Sequence, residues 1–312
     1  MSPRITAPVS TVLILSACAR GGEARPATDE DTVQAHVETT ELQVSFESPS
    51  GLIMIKVGFG PDAEMNVLMD TGVNPSVFDL KRAQDLGIQI DGRRPYATQG
   101  AGSRALLAYP ARVGQLRIAG QTVDAFDALA MDLSAMGAAM GRPLDGALGY
   151  SFLAGKSLTI DPSADLLTLH AGAVGSHDSG VPMDIVDGTL FVDAVFVNGL
   201  PLRGHLDTGA EPALTVSAER ASSLGLGDLL DQGQPGSVRG ARGSAQVVRS
   251  RADSLRIGGH SVRDVDIAFA SWVGQGDAIV GMGFFRNFVT TFDYVSGRLI
   301  LQALTSDVDR EP

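Results

Sequence analysis

One tripeptide occurs twice in this chain of 312 residues, and each copy ends a mostly apolar run. Asp70-Thr71-Gly72 follows Val67-Leu68-Met69, and Asp207-Thr208-Gly209 follows Gly204-His205-Leu206. The two aspartates lie 137 residues apart (207 − 70), close to half of the patterned part of the chain. Further matched features follow each copy in the same order. Asp79-Leu-Lys-Arg-Ala-Gln-Asp-Leu-Gly87 matches Ser217-Ala-Glu-Arg-Ala-Ser-Ser-Leu-Gly225. Each has a capping residue, a helix-forming body and a terminal glycine, which predicts a short helix in each half. Gln99-Gly100-Ala101-Gly102-Ser103 matches Arg239-Gly240-Ala241-Arg242-Gly243-Ser244 as a glycine-tipped hairpin. Gln115 to Val123 matches Ser254 to Val262, and Asp145-Gly-Ala-Leu-Gly149 matches Asp277-Ala-Ile-Val-Gly281. A repeat of this size governs the reading of the whole fold. The chain reads as two copies of one unit, each bringing one carboxylate to a shared seam.

Between these landmarks the pattern is that of short strands. Leu42 to Phe46 alternates apolar and polar residues, and Leu52 to Val57 and Met65 to Met69 read as strands leading to Asp70. Arg112 to Ile118 and Thr122 to Met131 form a hairpin, and Ser157 to Leu169 a strand pair. The second half repeats the scheme with Thr189 to Val197, the turn at Asn198-Gly199, Leu202 to Leu206, the hairpin Val238 to Ser250, and the pair Ser254 to Ile257 and Val262 to Ala270. Thr291 to Leu301 closes the chain as a hairpin. Many short strands and few helices predict an all-β fold of two pseudo-twofold-related barrel lobes with a cleft between them. The expected organisation is a leader at 1–18, a flexible tether at 19–39, an N-terminal lobe at 40–175, a C-terminal lobe at 176–304 and a polar tail at 305–312.

Charge narrows the choice of partner. The formal net charge is −12, and no basic run offsets it, so a nucleic-acid partner is not expected. His205 stands two residues before Asp207 without a cluster of metal-ligand spacing, so neither a metal nor any other cofactor is expected. The single cysteine, Cys18, ends a leader with Arg4, a short apolar stretch through Val12-Leu13-Ile14-Leu15, and then Ser16-Ala17. Leu15-Ser16-Ala17-Cys18 resembles the bacterial lipoprotein box. That resemblance implies cleavage before Cys18, a lipid on its sulfur, and an exported chain that meets a membrane only through the lipid anchor.

Apolar-apolar-Asp-Thr-Gly, a glycine-tipped hairpin, and then apolar-apolar-Gly, all present in each half, resemble the pepsin/retropepsin aspartic peptidases. The closest likeness is to bacterial forms with two retropepsin-like halves fused in one chain. The resemblance covers about residues 40–303 and implies an aspartic endopeptidase acting on an extended peptide or protein substrate. It assigns Asp70 and Asp207 as the catalytic pair, supported by Thr71, Gly72, Thr208 and Gly209. It makes Gly100, Gly102, Gly240 and Gly243 flap glycines, and it places Gly149 and Gly281 in a buried loop beneath the pair. One departure is Val73, where the family usually has Ser, Thr or Ala. The chemistry stands without the likeness. Two carboxylates in contact cannot both ionise, so one activates a water while its protonated partner polarises a carbonyl. Two halves in one chain need no second copy, so a monomer is expected. A catalytically weak peptide-binding protein on the same fold is the alternative reading.

Overall fold

The computed structural model describes residues 13–14, 17–18, 41–93, 95–97, 106–174, 180–240 and 243–304. Both lobes are built almost wholly from strands, and their sheets share one order. In the N-terminal lobe, Met54–Phe59, Ala63–Met69, Gly146–Leu148, Ser76–Asp79, Phe126–Met131 and Leu107–Val113 lie side by side. In the C-terminal lobe, Thr189–Val197, Leu200–Leu206, Ala278–Val280, Leu214–Ser217, His260–Ala270 and Gly243–Ile257 lie in the matching order. The duplication in sequence is thus a duplication in topology.

The strand that delivers each aspartate is held from both sides. Ala63–Met69 pairs antiparallel with Met54–Phe59 and parallel with Gly146–Leu148. Leu200–Leu206 pairs antiparallel with Thr189–Val197 and parallel with Ala278–Val280. A parallel neighbour needs a long return connection, and here most of a lobe supplies it. These inner strands carry apolar residues on both faces because both faces are covered: Val67, Leu68, Met69, Ala147, Leu148, Ala278 and Val280 are all buried.

A third sheet joins the lobes. Its order is Val181–Pro182, Arg298–Ala303, Phe288–Asp293, Ser157–Asp161, Leu166–His170 and Glu41–Ser45. Ser157–Asp161 of the first half pairs antiparallel with Phe288–Asp293 of the second. Phe292 is fully buried there, with its ring 5.2 Å from that of Phe285.

Three details differ from the sequence-based expectation. The first half forms its helix, Leu80–Asp85, with the Asp79 side chain accepting from the Arg82 N–H at 2.9 Å. The second half forms only turns over 218–225, followed by the short helix Gly227–Asp231. Ala221-Ser222-Ser223 is a poor helix body, and the Ser223 hydroxyl donates to the Arg220 carbonyl in competition with the Leu224 N–H. Residues 254–257 are not a separate strand but the end of one fifteen-residue strand, Gly243–Ile257. That strand pairs with the hairpin arm Gln234–Gly240 at its start and with Thr189–Val197 at its end. The strand expected over Leu52 to Val57 begins at Met54 and runs to Phe59. The expected lobe boundary at 175/176 and the tail at 305–312 lie outside the described residues, as does the tether at 19–39.

Because one sheet contains strands of both halves, the lobes are expected to unfold together. Phe292→Ala is expected to cost about 3–5 kcal/mol, read as one shifted urea transition reported alike by near-UV and far-UV circular dichroism. Two separated transitions would show that the joining sheet does not couple the lobes.

Candidate active site

Each delivering strand stops at its aspartate in the same way. The Asp70 N–H donates to the Leu148 carbonyl at 3.0 Å, and the Asp207 N–H donates to the Val280 carbonyl at 2.9 Å. The chain then turns sharply. Within that turn the Gly72 N–H donates to Asp70 Oδ1 at 2.9 Å, and the Gly209 N–H donates to Asp207 Oδ1 at 2.8 Å. Neither carboxyl is exposed to any measurable degree.

The two turns meet face to face. A Cβ on Gly72 would collide with the Asp207 carboxyl, and one on Gly209 with the Asp70 carboxyl. Each carboxyl therefore lies over the other lobe's glycine, an approach that no side chain larger than hydrogen allows. The two threonines send four hydrogen bonds across the seam. The Thr71 hydroxyl donates to the Leu206 carbonyl at 3.0 Å and accepts from the Thr208 N–H at 3.1 Å. The Thr208 hydroxyl donates to the Met69 carbonyl at 2.8 Å and accepts from the Thr71 N–H at 3.0 Å. Both threonines are buried, so each bond acts with little competition from water.

Burial holds both carboxyls above the ordinary carboxylate range. Asp70 is pushed further by the charge of Asp207, and the glycine N–H groups oppose the shift on both sides. Oδ2 of each has no hydrogen-bond partner among the described residues. The pair can hold one proton between them.

Gly149 and Gly281 each start a short helix directly after a central strand. A Cβ at Gly149 would meet the Val73 carbonyl, and one at Gly281 the carbonyls of Ala210 and Pro212. Both glycines thus pack against the turn that follows each aspartate. The Gly149 N–H also donates to the Ser76 hydroxyl at 3.0 Å. Val73 is fully buried and lends no hydroxyl to Asp70. In the second hairpin, pairing extends down to Gly240 and Gly243, with Gly243 at φ +97°. Gly100 and Gly102 lie outside the described residues. Cys18 is described only in its backbone. Ala17–Cys18 runs parallel to Val73–Asn74, and Leu13–Ile14 runs parallel to Arg239–Gly240 on the second hairpin.

One matched ion pair was present in the sequence without being singled out. Arg82 lies 3.5 Å from Asp145, and Arg220 pairs with Asp277. Asp145 and Asp277 also accept the backbone N–H of Asn66 and Arg203, both at 2.8 Å. The signal was legible: both arginines hold the same place in the matched Asp79 and Ser217 stretches.

The geometry makes two predictions. Thr71→Val leaves the Leu206 carbonyl and the Thr208 N–H unpaired, at about 1–3 kcal/mol each, measured by urea denaturation. The second concerns pH. Carboxyls raised in the folded chain hold protons that the unfolded chain releases. Their contribution to stability is present below the ordinary carboxylate pKa of about 3.9 and is lost as pH rises through the folded values. The double variant D70N/D207N is expected to remove this loss, measured as the urea midpoint from pH 4 to pH 8. A parallel pH dependence in both proteins would contradict the raised carboxyls.

The family comparison agrees with the duplicated topology. A family model described as aspartyl protease matches residues 54–152 and 193–284, one match in each lobe. No curated protein matches the chain. Two matched lobes covering more than half of the sequence place this chain in the aspartyl protease family.

Proposed function

We propose that the protein is an aspartic endopeptidase in which Asp70 and Asp207 act as one unit. The observation that carries this reading is the burial of two carboxyls on opposite lobes, each over the other's glycine and each with an unpartnered Oδ2. In one assignment the proton rests on Asp70, which has the additional push from its partner's charge. Asp207 then takes a proton from water as the water oxygen attacks the peptide carbonyl carbon. Asp70 gives its proton to the carbonyl oxygen, and a tetrahedral diol forms. Return of one diol proton to Asp70 and transfer of the water-derived proton from Asp207 to the leaving nitrogen break the C–N bond and restore the starting state. The titration belongs to the pair rather than to either residue.

The substrate we infer is an extended peptide. Backbone at Val73–Asn74 and at Arg239–Gly240 pairs with short stretches of the chain's own leader, so both sides of the seam offer strand-like hydrogen bonding. The hairpin carrying Gly240 and Gly243 serves as a flap over that strand in this reading, with the stretch at Gly100 and Gly102 as its counterpart in sequence. The Leu15-Ser16-Ala17-Cys18 pattern supports export and lipid anchoring at Cys18 in a bacterial envelope, with the tether at 19–39 holding a monomeric two-lobed body off the membrane. Labelling with a radioactive fatty acid tests the anchor. Incorporation is expected in the intact chain and not in Cys18→Ser.

The peptidase reading is tested with a diverse peptide mixture and the chain from residue 19 onward. Cleavage is expected to follow a bell-shaped pH dependence, because only one carboxyl of the pair is ionised in the working form. Asp70→Asn and Asp207→Asn are each expected to lower kcat by about 10³-fold or more, since residues acting as a unit fail together. A single variant that keeps most of its activity would contradict the shared dyad. Tight peptide binding without cleavage by the folded wild type would establish the binding-protein alternative.

A further inference from the structure

The repeat supplies an internal control for residues near the dyad, and in one row two polar residues, His205 and Thr215, stand against apolar ones. A row of side chains crosses each sheet two residues before the aspartate. In the N-terminal lobe, strand register aligns Met54, Leu68, Ala147, Val77 and Leu129. All five are apolar and buried. In the C-terminal lobe, the same row aligns Phe191, His205, Ile279, Thr215 and Ala268. An imidazole stands where the first lobe has Leu68.

His205 is 5% exposed, and its Nε2 has no hydrogen-bond partner among the described residues. Its ring lies 5.6 Å from that of Phe191. The charged groups around it are already committed. Arg203, on the same strand, stacks 5.0 Å from the Phe191 ring and pairs with Asp193 of Thr189–Val197 at 2.6 Å and Asp184 of Asp184–Val186 at 3.0 Å. Asp277, just before Ala278–Val280, holds the Arg203 N–H and pairs with Arg220. Ala278–Val280 and Leu214–Ser217 carry no charged residue. A proton on His205 would put a second cation beside Phe191 and Arg203, and the carboxyl at the end of its own strand, Asp207, is already held by the Gly209 N–H and lies over Gly72.

We propose that His205 is a positioning residue that must stay neutral: its protonation drives the ring toward water, pulls Leu200–Leu206 off its neighbours and takes Asp207 out of line with Asp70. Acid thereby disables the site from the C-terminal side alone. The direction of titration agrees, since burial lowers His205 from its ordinary value to about 4.

The sign of the effect on stability follows. Between pH 6.5 and about 4 the unfolded chain protonates this histidine while the folded chain does not, so stability falls as pH falls through that window. The dyad acts in the opposite sense, but its contribution is common to variants at position 205 and cancels in a comparison. The test compares the full chain with His205→Leu, the residue of the matched position, by urea unfolding at pH 7 and pH 4. The ratio of their unfolding constants is expected to change by about 100-fold over that range, from pKa values of 6.5 unfolded and about 4 folded. A histidine that titrates alike in the folded and unfolded chain would leave the ratio constant, and a constant ratio overturns the proposal. If the variant does not fold, the ring C–H resonance of His205 in the wild type decides instead. A midpoint near 4 supports the proposal, and one near 6.5 overturns it. A third arm rests on the peptidase reading: the acid limb of the cleavage profile is expected to move to lower pH in His205→Leu, and an unmoved limb counts against the proposal. The first two readouts need no turnover. A wild type that cleaves nothing would therefore count against the peptidase reading and leave this one to be decided by them.

Discussion

Two carboxyls buried against each other are the constraint around which this molecule is arranged. Left alone, each would resist burial, and together they resist it more, because a second negative charge in a dry site is strongly opposed. The structure answers with fixed dipoles and a shared seam. The glycine N–H groups at 2.8 and 2.9 Å favour ionisation of one member, while burial favours protonation of the other. Neither turn could be built with any residue but glycine behind its threonine, since the opposing carboxyl occupies that space.

The rest of the fold keeps those two turns in register. Thr71 and Thr208 bind the backbone of the opposite delivering strand, so a shift of one lobe breaks bonds in both. The central strands Gly146–Leu148 and Ala278–Val280 brace each aspartate from below. The joining sheet, where Ser157–Asp161 meets Phe288–Asp293, closes the two halves at a distance from the seam. The Arg82–Asp145 and Arg220–Asp277 pairs tie each central strand to the segment that follows its aspartate turn. Near the dyad the two halves differ at Val73 against Ala210, His205 against Leu68 and Thr215 against Val77.

Much of this was legible in the sequence because the repeat made chance matches implausible. Asp70 and Asp207, their threonines and glycines, and Gly149 and Gly281 are identifiable from residue type and offset alone. What was not legible depends on long-range pairing. The joining sheet brings Glu41–Ser45, Leu166–His170 and Arg298–Ala303 together, and no local pattern says which edge finds which. Strand Gly243–Ile257 continues through Arg251 and Asp253 because His260–Ala270 pairs with it at Arg251, Ala252 and Ser254. The second helix fails at Ala221-Ser222-Ser223, where side-chain bonding competes with the backbone. His205 was visible two residues before Asp207, but only strand register shows that its row is apolar in the other lobe and that its Nε2 is left unpaired.

The most direct measurement is a carbon-13 NMR titration of the aspartate carboxyls in the wild type and in Asp207→Asn. Two resonances that move together through two widely separated steps would show one proton shared across the seam, with the variant collapsing Asp70 to a single step. Two carboxyls that titrate independently within the ordinary range of about 3–5 would show that the turns do not form a coupled pair.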